Sequence, residues 1–79
     1  MALTLTYDPD ADAIYIGLQD LPYAFGEDID HERRIDYAEG GLPIGIEILC
    51  ASGGVDTHGL PYEDAVSRLV EEHAFKVFA

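Results

Sequence analysis

Three aspartates at alternate positions, Asp8, Asp10 and Asp12, are the residues whose spacing most directly suggests chemistry. They match the first, third and fifth positions of a calcium-binding loop, which needs a glycine next and a bidentate glutamate at its twelfth position. Ala13 and Gln19 occupy those two places, and the residues that follow alternate as in a strand. The pattern therefore predicts a solvated turn rather than a calcium loop.

The other metal-binding and nucleophilic side chains are scattered. His31, His58 and His73 do not have a recognised metal-ligand spacing, and only Asp56 and His58 are neighbours of different ligand type. Cys50 is the single cysteine, which excludes an intrachain disulfide and a thiolate metal cage; we interpret it as a small buried group at the end of a strand. The sequence thus predicts no metal, no cofactor and no catalytic residue.

Carboxylates are abundant, with sixteen Asp and Glu residues against four Lys and Arg. Most belong to predicted turns or to a water-facing sheet surface, whereas a general acid needs a pocket that shifts its pKa. Glu47 stands between two isoleucines with Arg34 in diagonal reach, and we interpret the two as a cross-strand ion pair. A small metal-assisted hydrolase using Glu47 and Asp36 is the weaker alternative.

Arg33 is the residue that conflicts most with its surroundings. The alternation that turns Ile29, Ile35 and Tyr37 inward also turns Arg33 inward, where a guanidinium must find a carboxylate or reach the rim. It could also cross a subunit interface to an acid of a neighbouring chain. The candidate binding residues are therefore Arg33, Glu47, Asp28, Asp30 and Glu32.

Length and charge limit the function classes. The 79 residues suffice for one small domain, residues 1–79, whose core is marginal, so a homodimer or higher homo-oligomer is expected. A formal charge of -12 repels nucleic-acid phosphate and anionic membranes but suits a basic protein partner. No signal peptide or membrane span is recognised, and the predicted location is the cytoplasm.

Two β-hairpins must position these residues. In the first, a loop over Pro9–Asp12 pairs Tyr7 with Ile14, Leu5 with Ile16, and Leu3 with Leu18, so six apolar side chains share one face. Asp8 can bond the backbone of that turn.

The second hairpin is predicted from about Glu27 to Leu49, reversing at Glu39, Gly40 and Gly41, where positive φ is needed. Pairing around that turn sets Ile35 against Ile44, Arg33 against Ile46 and His31 against Ile48. The opposite face then carries mostly charged side chains and faces water.

The segments between and after the hairpins are less regular. Leu21–Gly26 is predicted to be a connection or irregular edge, with Tyr23 and Phe25 either on the core or at a subunit contact. A helix is predicted from Pro61 to about His73, with an apolar stripe of Tyr62, Ala65, Val66, Leu69, Val70 and His73. The tail Phe75–Phe78 is either a short strand or a clasp across a dimer.

The segments YDPDADAIYI, IDYAEGGLPIGIEIL and ASGGVDTHGLP, in this order and followed by a helix, resemble the small bacterial and archaeal domain of unknown function 2283. The resemblance implies a compact sheet-plus-helix domain without an established activity, and some members neighbour small toxin-like proteins.

We therefore predict an α+β fold: a four-stranded, mainly antiparallel sheet made of two β-hairpins, with one C-terminal helix on its apolar face. The predicted function is a non-enzymatic, self-associating binding module, because so short a chain shows no catalytic constellation. The alternative is an antitoxin-like neutraliser of a small basic protein.

Overall fold

In the computed structural model, which describes residues 3–78, the chain combines one helix with a mainly antiparallel sheet, and the predicted α+β class is confirmed. The elements in chain order are β1 (Thr4–Asp8), β2 (Ala13–Gly17), β3 (Phe25–Asp28), β4 (Arg33–Tyr37), β5 (Pro43–Ile48), a 3₁₀ turn (Ala51–Gly53), β6 (Val55–Asp56), α1 (Glu63–Glu72) and β7 (Val77–Phe78).

The first hairpin forms as its hydrophobic pattern predicts. Leu5 pairs with Ile16 and Tyr7 pairs with Ile14, while Leu3 precedes the strand and packs against the core. The Asp8 carboxylate accepts hydrogen bonds from the backbone of the turn, at 3.0 Å from Asp10 N. Both Ile14 and Ile16 are buried, which ties the register to the burial of one face.

The main sheet has five strands, in the order β1-β2-β5-β4-β3, rather than the predicted four. The additional strand arises because the predicted long arm from Glu27 turns back at residues 29–32. Asp30 holds this turn: its carboxylate accepts hydrogen bonds from Glu32 N at 3.0 Å and Arg33 Nε at 2.9 Å. A local side-chain bond thus replaces continued strand pairing.

The predicted register of the second hairpin was wrong by two residues. Ile35 pairs with Ile46 and Arg33 with Ile48, while His31 lies in the turn. The pairing shifts between Asp36 and Tyr37, where β5 contains one more residue than β4, which is a β-bulge. The bulge accounts for one of the two residues. The other comes from the turn, because Tyr37, on the turn side of the bulge, is already offset by one residue in its pairing with Pro43.

The buried core joins the sheet and the helix. Ile14, Ile16, Ile46 and Ile48 belong to the same buried cluster as Val66 and Val70 of α1. Leu69 also packs against the cluster, whereas Tyr62, Ala65 and His73 of the predicted stripe are exposed.

The helix begins two residues later than predicted. Tyr62 has a φ of 55°, in the left-handed region, so the chain cannot become helical before Glu63.

The C-terminal tail ends in a short strand, one of the two predicted alternatives. Val77 pairs with Val55 and Phe78 with Asp56, so that β6 and β7 form a separate parallel pair. Within residues 3–78, no helix has the length and apolar character needed to cross a membrane.

Candidate functional site

The sheet face opposite the buried isoleucines, here called the outer face, carries one row of side chains that crosses all five strands. Strand pairing places neighbouring members of this central row side by side. The members of the central row, in order from β1 to β3, are Thr6, Tyr15, Glu47, Arg34 and Asp28.

The adjacent row on the outer face consists mostly of glycine. From β1 to β3 it contains Thr4, Gly17, Gly45, Asp36 and Gly26. A Cβ at position 45 would overlap the Tyr15 hydroxyl, and a Cβ at position 26 would lie 2.7 Å from Arg34 Cζ. The glycines therefore leave the space across which Tyr15 and Arg34 extend.

Tyr15 and Arg34 both reach the carboxylate of Asp36. The Tyr15 hydroxyl donates to Oδ2 at 3.4 Å, and Arg34 Nε lies 3.5 Å from Oδ1. Partial burial raises the pKa of Tyr15, and the Asp36 charge and hydrogen bond raise it further. The Tyr15 hydroxyl is therefore held as a neutral donor rather than as a nucleophilic phenolate.

Arg34 is satisfied within its own chain. Its guanidinium donates to Tyr23 Oη at 3.3 Å and to Asp28 Oδ1 at 3.1 Å. These two hydrogen bonds raise the pKa of Arg34 above its already high value, Tyr23 making the larger contribution. The predicted ion pair between Arg34 and Glu47 is not formed, because the guanidinium is directed toward Asp28 and Asp36 instead.

Glu47 is the middle residue of the central row. It is the only charged residue of that row whose side chain forms no ion pair within residues 3–78. It pairs by backbone register with Tyr15 on one side and Arg34 on the other, and its side chain is exposed. Within residues 3–78, no hydrogen bond or ion pair reaches its carboxylate. Its oxygens are therefore directed to solvent.

Two shallow depressions flank Glu47 and share Leu49 as a common wall. The first, here called the acidic depression, has a volume of about 280 Å³. It is lined by all five candidate binding residues of the sequence analysis together with three others: Asp28, Asp30, His31, Glu32, Arg33, Arg34, Glu47 and Leu49.

The second depression, here called the tyrosine depression, has a volume of about 320 Å³ and lies toward β1. Its lining mixes apolar side chains with two carboxylates and was not predicted from the sequence. The residues are Thr6, Tyr7, Asp8, Ala11, Ala13, Ile14, Tyr15, Glu47 and Leu49.

Arg33 turns inward, and its side chain is only 10% exposed. Its guanidinium lies 2.9 Å from Asp30 Oδ2 and donates to the carbonyl oxygens of His58 at 2.7 Å and Asp56 at 3.2 Å. Hydrogen bonds from Glu32 N and from Arg33 lower the pKa of Asp30. Arg33 thus connects the β3–β4 turn to the loop after β6 and has little capacity left for a ligand.

The aspartates of the first turn are also engaged. Asp12 accepts from Tyr7 Oη at 2.7 Å, from Ser52 N at 2.9 Å and from Ser52 Oγ at 2.6 Å. The hydrogen bond from the Ser52 hydroxyl, followed by that from Tyr7, lowers the pKa of Asp12. This carboxylate binds the first turn to the segment after β5.

No group of three or more His, Cys, Asp or Glu side chains in residues 3–78 comes together as metal ligands. Asp36, one of the two carboxylates considered for a metal-assisted hydrolase, is engaged by Tyr15 and Arg34.

Cys50 was wrongly predicted to be buried, since it is exposed at the end of β5. The neighbouring Glu32 carboxylate raises the pKa of the Cys50 thiol, first as a hydrogen-bond acceptor and then by its charge. A raised pKa disfavours the thiolate, which is the nucleophilic form.

A third, apolar depression of about 350 Å³ lies at the end of the sheet near β3. Leu21, Tyr23 and Leu42 line it and are between 40% and 57% exposed. Phe25, predicted to lie on the core or at a subunit contact, stacks on Tyr37 with ring centroids 5.0 Å apart.

Comparison with known proteins identifies a family. The sequence profile of a family described as "Protein of unknown function (DUF2283)" matches residues 4–52, which include all five strands of the main sheet. No curated protein and no solved structure matches the chain.

Proposed function

This chain belongs to the family of proteins of unknown function DUF2283, and we propose that it is a non-enzymatic binding module whose contact surface is the outer face of the sheet. The partner we propose is a basic protein segment. Neutralisation of a small basic protein is one specific form of this activity, and it would use the same surface.

The observation that carries this proposal is the environment of Glu47. Its exposed carboxylate has no intrachain partner in residues 3–78 and lies between the two depressions. Leu49 lines both depressions, and Tyr15 lines the tyrosine depression. A carboxylate beside apolar and aromatic surface suits the aliphatic stem and cationic head of a lysine or arginine. Glu47 is therefore the proposed anchor for a basic side chain.

The charges around the anchor favour the same kind of partner. The two arginines of the acidic depression are already paired, Arg33 with Asp30 and Arg34 with Asp28 and Asp36. Glu32 adds a further acid to its lining. Together with a formal charge of -12, this field accelerates the approach of a cationic partner at low salt.

The groups on the outer face that could otherwise perform catalysis are restrained. The Tyr15 pKa is raised, the Asp36 carboxylate is engaged, and the pKa of the nearby Cys50 thiol is raised as well. The depressions are open to solvent, whereas enzyme sites usually exclude water from the reacting groups. Binding therefore suits this surface better than covalent chemistry.

A titration with a nonapeptide of alternating lysine and threonine, followed by amide chemical shifts, tests the proposal. We expect shift changes along the central row. We also expect the dissociation constant to be about fivefold higher for Glu47→Gln, which corresponds to the largest free energy usual for a solvent-exposed ion pair. Glu71→Gln on α1 makes the same charge change at an exposed position and is the matched control.

Two outcomes would contradict the proposal. One is equal weakening by Glu71→Gln, which would mean that the peptide senses only net charge. The other is turnover of a small ester by the purified protein with loss of activity in Glu47→Gln, which would make Glu47 part of an enzyme site.

A further inference from the structure

The two edges of the main sheet differ in how they are protected. β1 and β3 are the edge strands, and an edge strand exposes backbone N–H and C=O groups that can pair with another chain. β3 has only four residues, of which Glu27 and Asp28 are acidic, and the acids of the next turn follow it. Charges of this kind block edge pairing.

The β1 edge lacks such protection. Its residues 4–7 carry no charge, no proline and no bulge, in a chain where a quarter of the residues are charged. β1 pairs only with β2, and among residues 3–78 no other element forms a backbone hydrogen bond with it. Thr4 and Thr6 on one side are exposed. On the other side Tyr7 is 39% exposed, with its ring edge-on to Phe75 at 4.9 Å and its hydroxyl bonded to Asp12.

We propose that two copies of this chain associate through antiparallel pairing of their β1 strands. Pairing all five residues of β1 with those of the second copy places Thr6 opposite Thr6 on the two-fold axis. Leu5 then faces Tyr7 of the second copy, and Thr4 faces Asp8. The sequence of β1 is thus self-complementary, because apolar residues meet on the inner face and no like charges meet directly.

The occupant of this edge is a second copy rather than a different protein because of that self-complementarity. Two chains that each carry a charge of -12 repel each other, and an acid at the axis would add to that repulsion. The neutral residues at the centre of β1 avoid this effect. This interface shares Thr6, Tyr7 and Asp8 with the tyrosine depression, but the pairing of the two strands needs no ligand on the outer face.

Two lysine substitutions on one strand separate this register from a general charge effect. Thr6→Lys places two lysines opposite each other on the axis, whereas Thr4→Lys places each lysine opposite Asp8 of the second copy. Both variants change the net charge equally. From the usual strength of one cross-strand charge pair, we expect the dimer dissociation constant to rise about two- to fivefold for Thr6→Lys, which creates one Lys–Lys pair. It should fall by about the square of that factor for Thr4→Lys, because two-fold symmetry then creates two Lys–Asp pairs.

Sedimentation equilibrium of the full chain over a range of concentrations measures these constants, and circular dichroism checks that the variants are folded. Equal effects of the two lysines, or a monomer at every concentration up to millimolar, would overturn the proposal.

Disulfide trapping provides a second test that does not depend on affinity. In a Cys50→Ser background, Thr6→Cys should form an interchain disulfide, because directly opposite Cα atoms lie about 4.5–5.5 Å apart. Thr4→Cys should not, since two copies of residue 4 are separated by four residues along the paired strands. Equal crosslinking at both positions would contradict the proposed register.

Discussion

The side chain of Tyr15 lies directly over the α-carbon of Gly45 on the neighbouring strand, in the space that any larger residue at position 45 would need. This packing of Tyr15 over Gly45 brings the Tyr15 hydroxyl to 3.4 Å from Asp36 Oδ2. A glycine in a strand interior normally weakens the strand, so its presence here reflects the close approach of the aromatic ring.

Gly45→Ala should therefore destabilise the protein, because the new methyl group overlaps Tyr15 and forces it to move. We expect a loss of about 1–3 kcal/mol in the free energy of unfolding, measured by urea denaturation. The effect should be smaller in a Tyr15→Ala background, and additive losses would contradict the packing relationship. Gly53→Ala is the control, since a methyl group added there would meet no atom of residues 3–78 within 4 Å beyond its own residue and the two chain neighbours.

Substitution of Arg33 should lower the free energy of unfolding, because the acceptors of its hydrogen bonds lose a donor. Arg33→Met leaves the His58 and Asp56 carbonyl oxygens without this donor, while the Asp30 carboxylate keeps the hydrogen bond from Glu32 N. We expect a loss of about 1–3 kcal/mol. Arg68→Met, at an exposed helix position, should change stability by less than about 0.5 kcal/mol. Equal urea midpoints for the two variants would show that the Arg33 contacts contribute nothing.

The Asp12 contacts predict a specific dependence of stability on acid. A carboxyl whose pKa is lowered in the folded state contributes stability above its unfolded value of about 3.9 and loses that contribution as the pH falls through the folded value. Hydrogen bonds from Ser52 and Tyr7 lower the pKa of Asp12 in this way. The wild type should therefore exceed Asp12→Asn in stability at pH 6, and the difference should shrink below pH 4.

Urea denaturation of both proteins at several pH values between 6 and 2.5 measures that difference directly. Comparison with the variant removes the general effect of neutralising the other carboxyl groups. A difference that stays constant over this range would mean that Asp12 titrates alike in the folded and unfolded chain.

Cys50 should react slowly with thiol reagents near neutral pH. Because Glu32 raises the pKa of its thiol, the thiolate should appear at higher pH than the value of about 8.5 for a free cysteine. Glu32→Gln should shift the pH profile of the reaction with a disulfide reagent to lower pH. The exposed Glu72→Gln serves as the control, and an identical profile for Glu32→Gln would exclude the proposed influence.

Hydrophobic alternation and turn residues predicted a large part of this fold. The first hairpin is correct in loop and register because Ile14 and Ile16 must share the buried face. The reversal at Gly40 and Gly41 is also confirmed, with φ values of 88° and 85°. Both features depend on local residue types that allow few other backbone conformations.

The errors arose where a side chain or a bulge replaced regular pairing. Asp30 forms a turn without glycine or proline, and its sequence surroundings alternate as in a strand. The bulge after Asp36 and a turn one residue longer than assumed each shifted the predicted partners of β4 by one residue.

The candidate site shows the same division between local and tertiary information. Acidic residues and Glu47 could be singled out by type and position, whereas the tyrosine depression brings together β1, β2 and β5. The direction of Arg34 also depended on Gly26 and Tyr23, which approach it only in the folded chain. The unusual number of small residues at sheet positions was the feature of the sequence that could have indicated these contacts.

The core depends on residues that are distant from its isoleucines in sequence. All five strands of the sheet end by Ile48, but Val66 and Val70, which share the buried cluster with Ile46 and Ile48, lie about 20 residues further along the chain. A fragment cut after Ile48 would therefore keep the isoleucine face and lose its cover. We expect such a fragment to aggregate, so proteolysis between β5 and α1 would convert a folded domain into an aggregation-prone sheet.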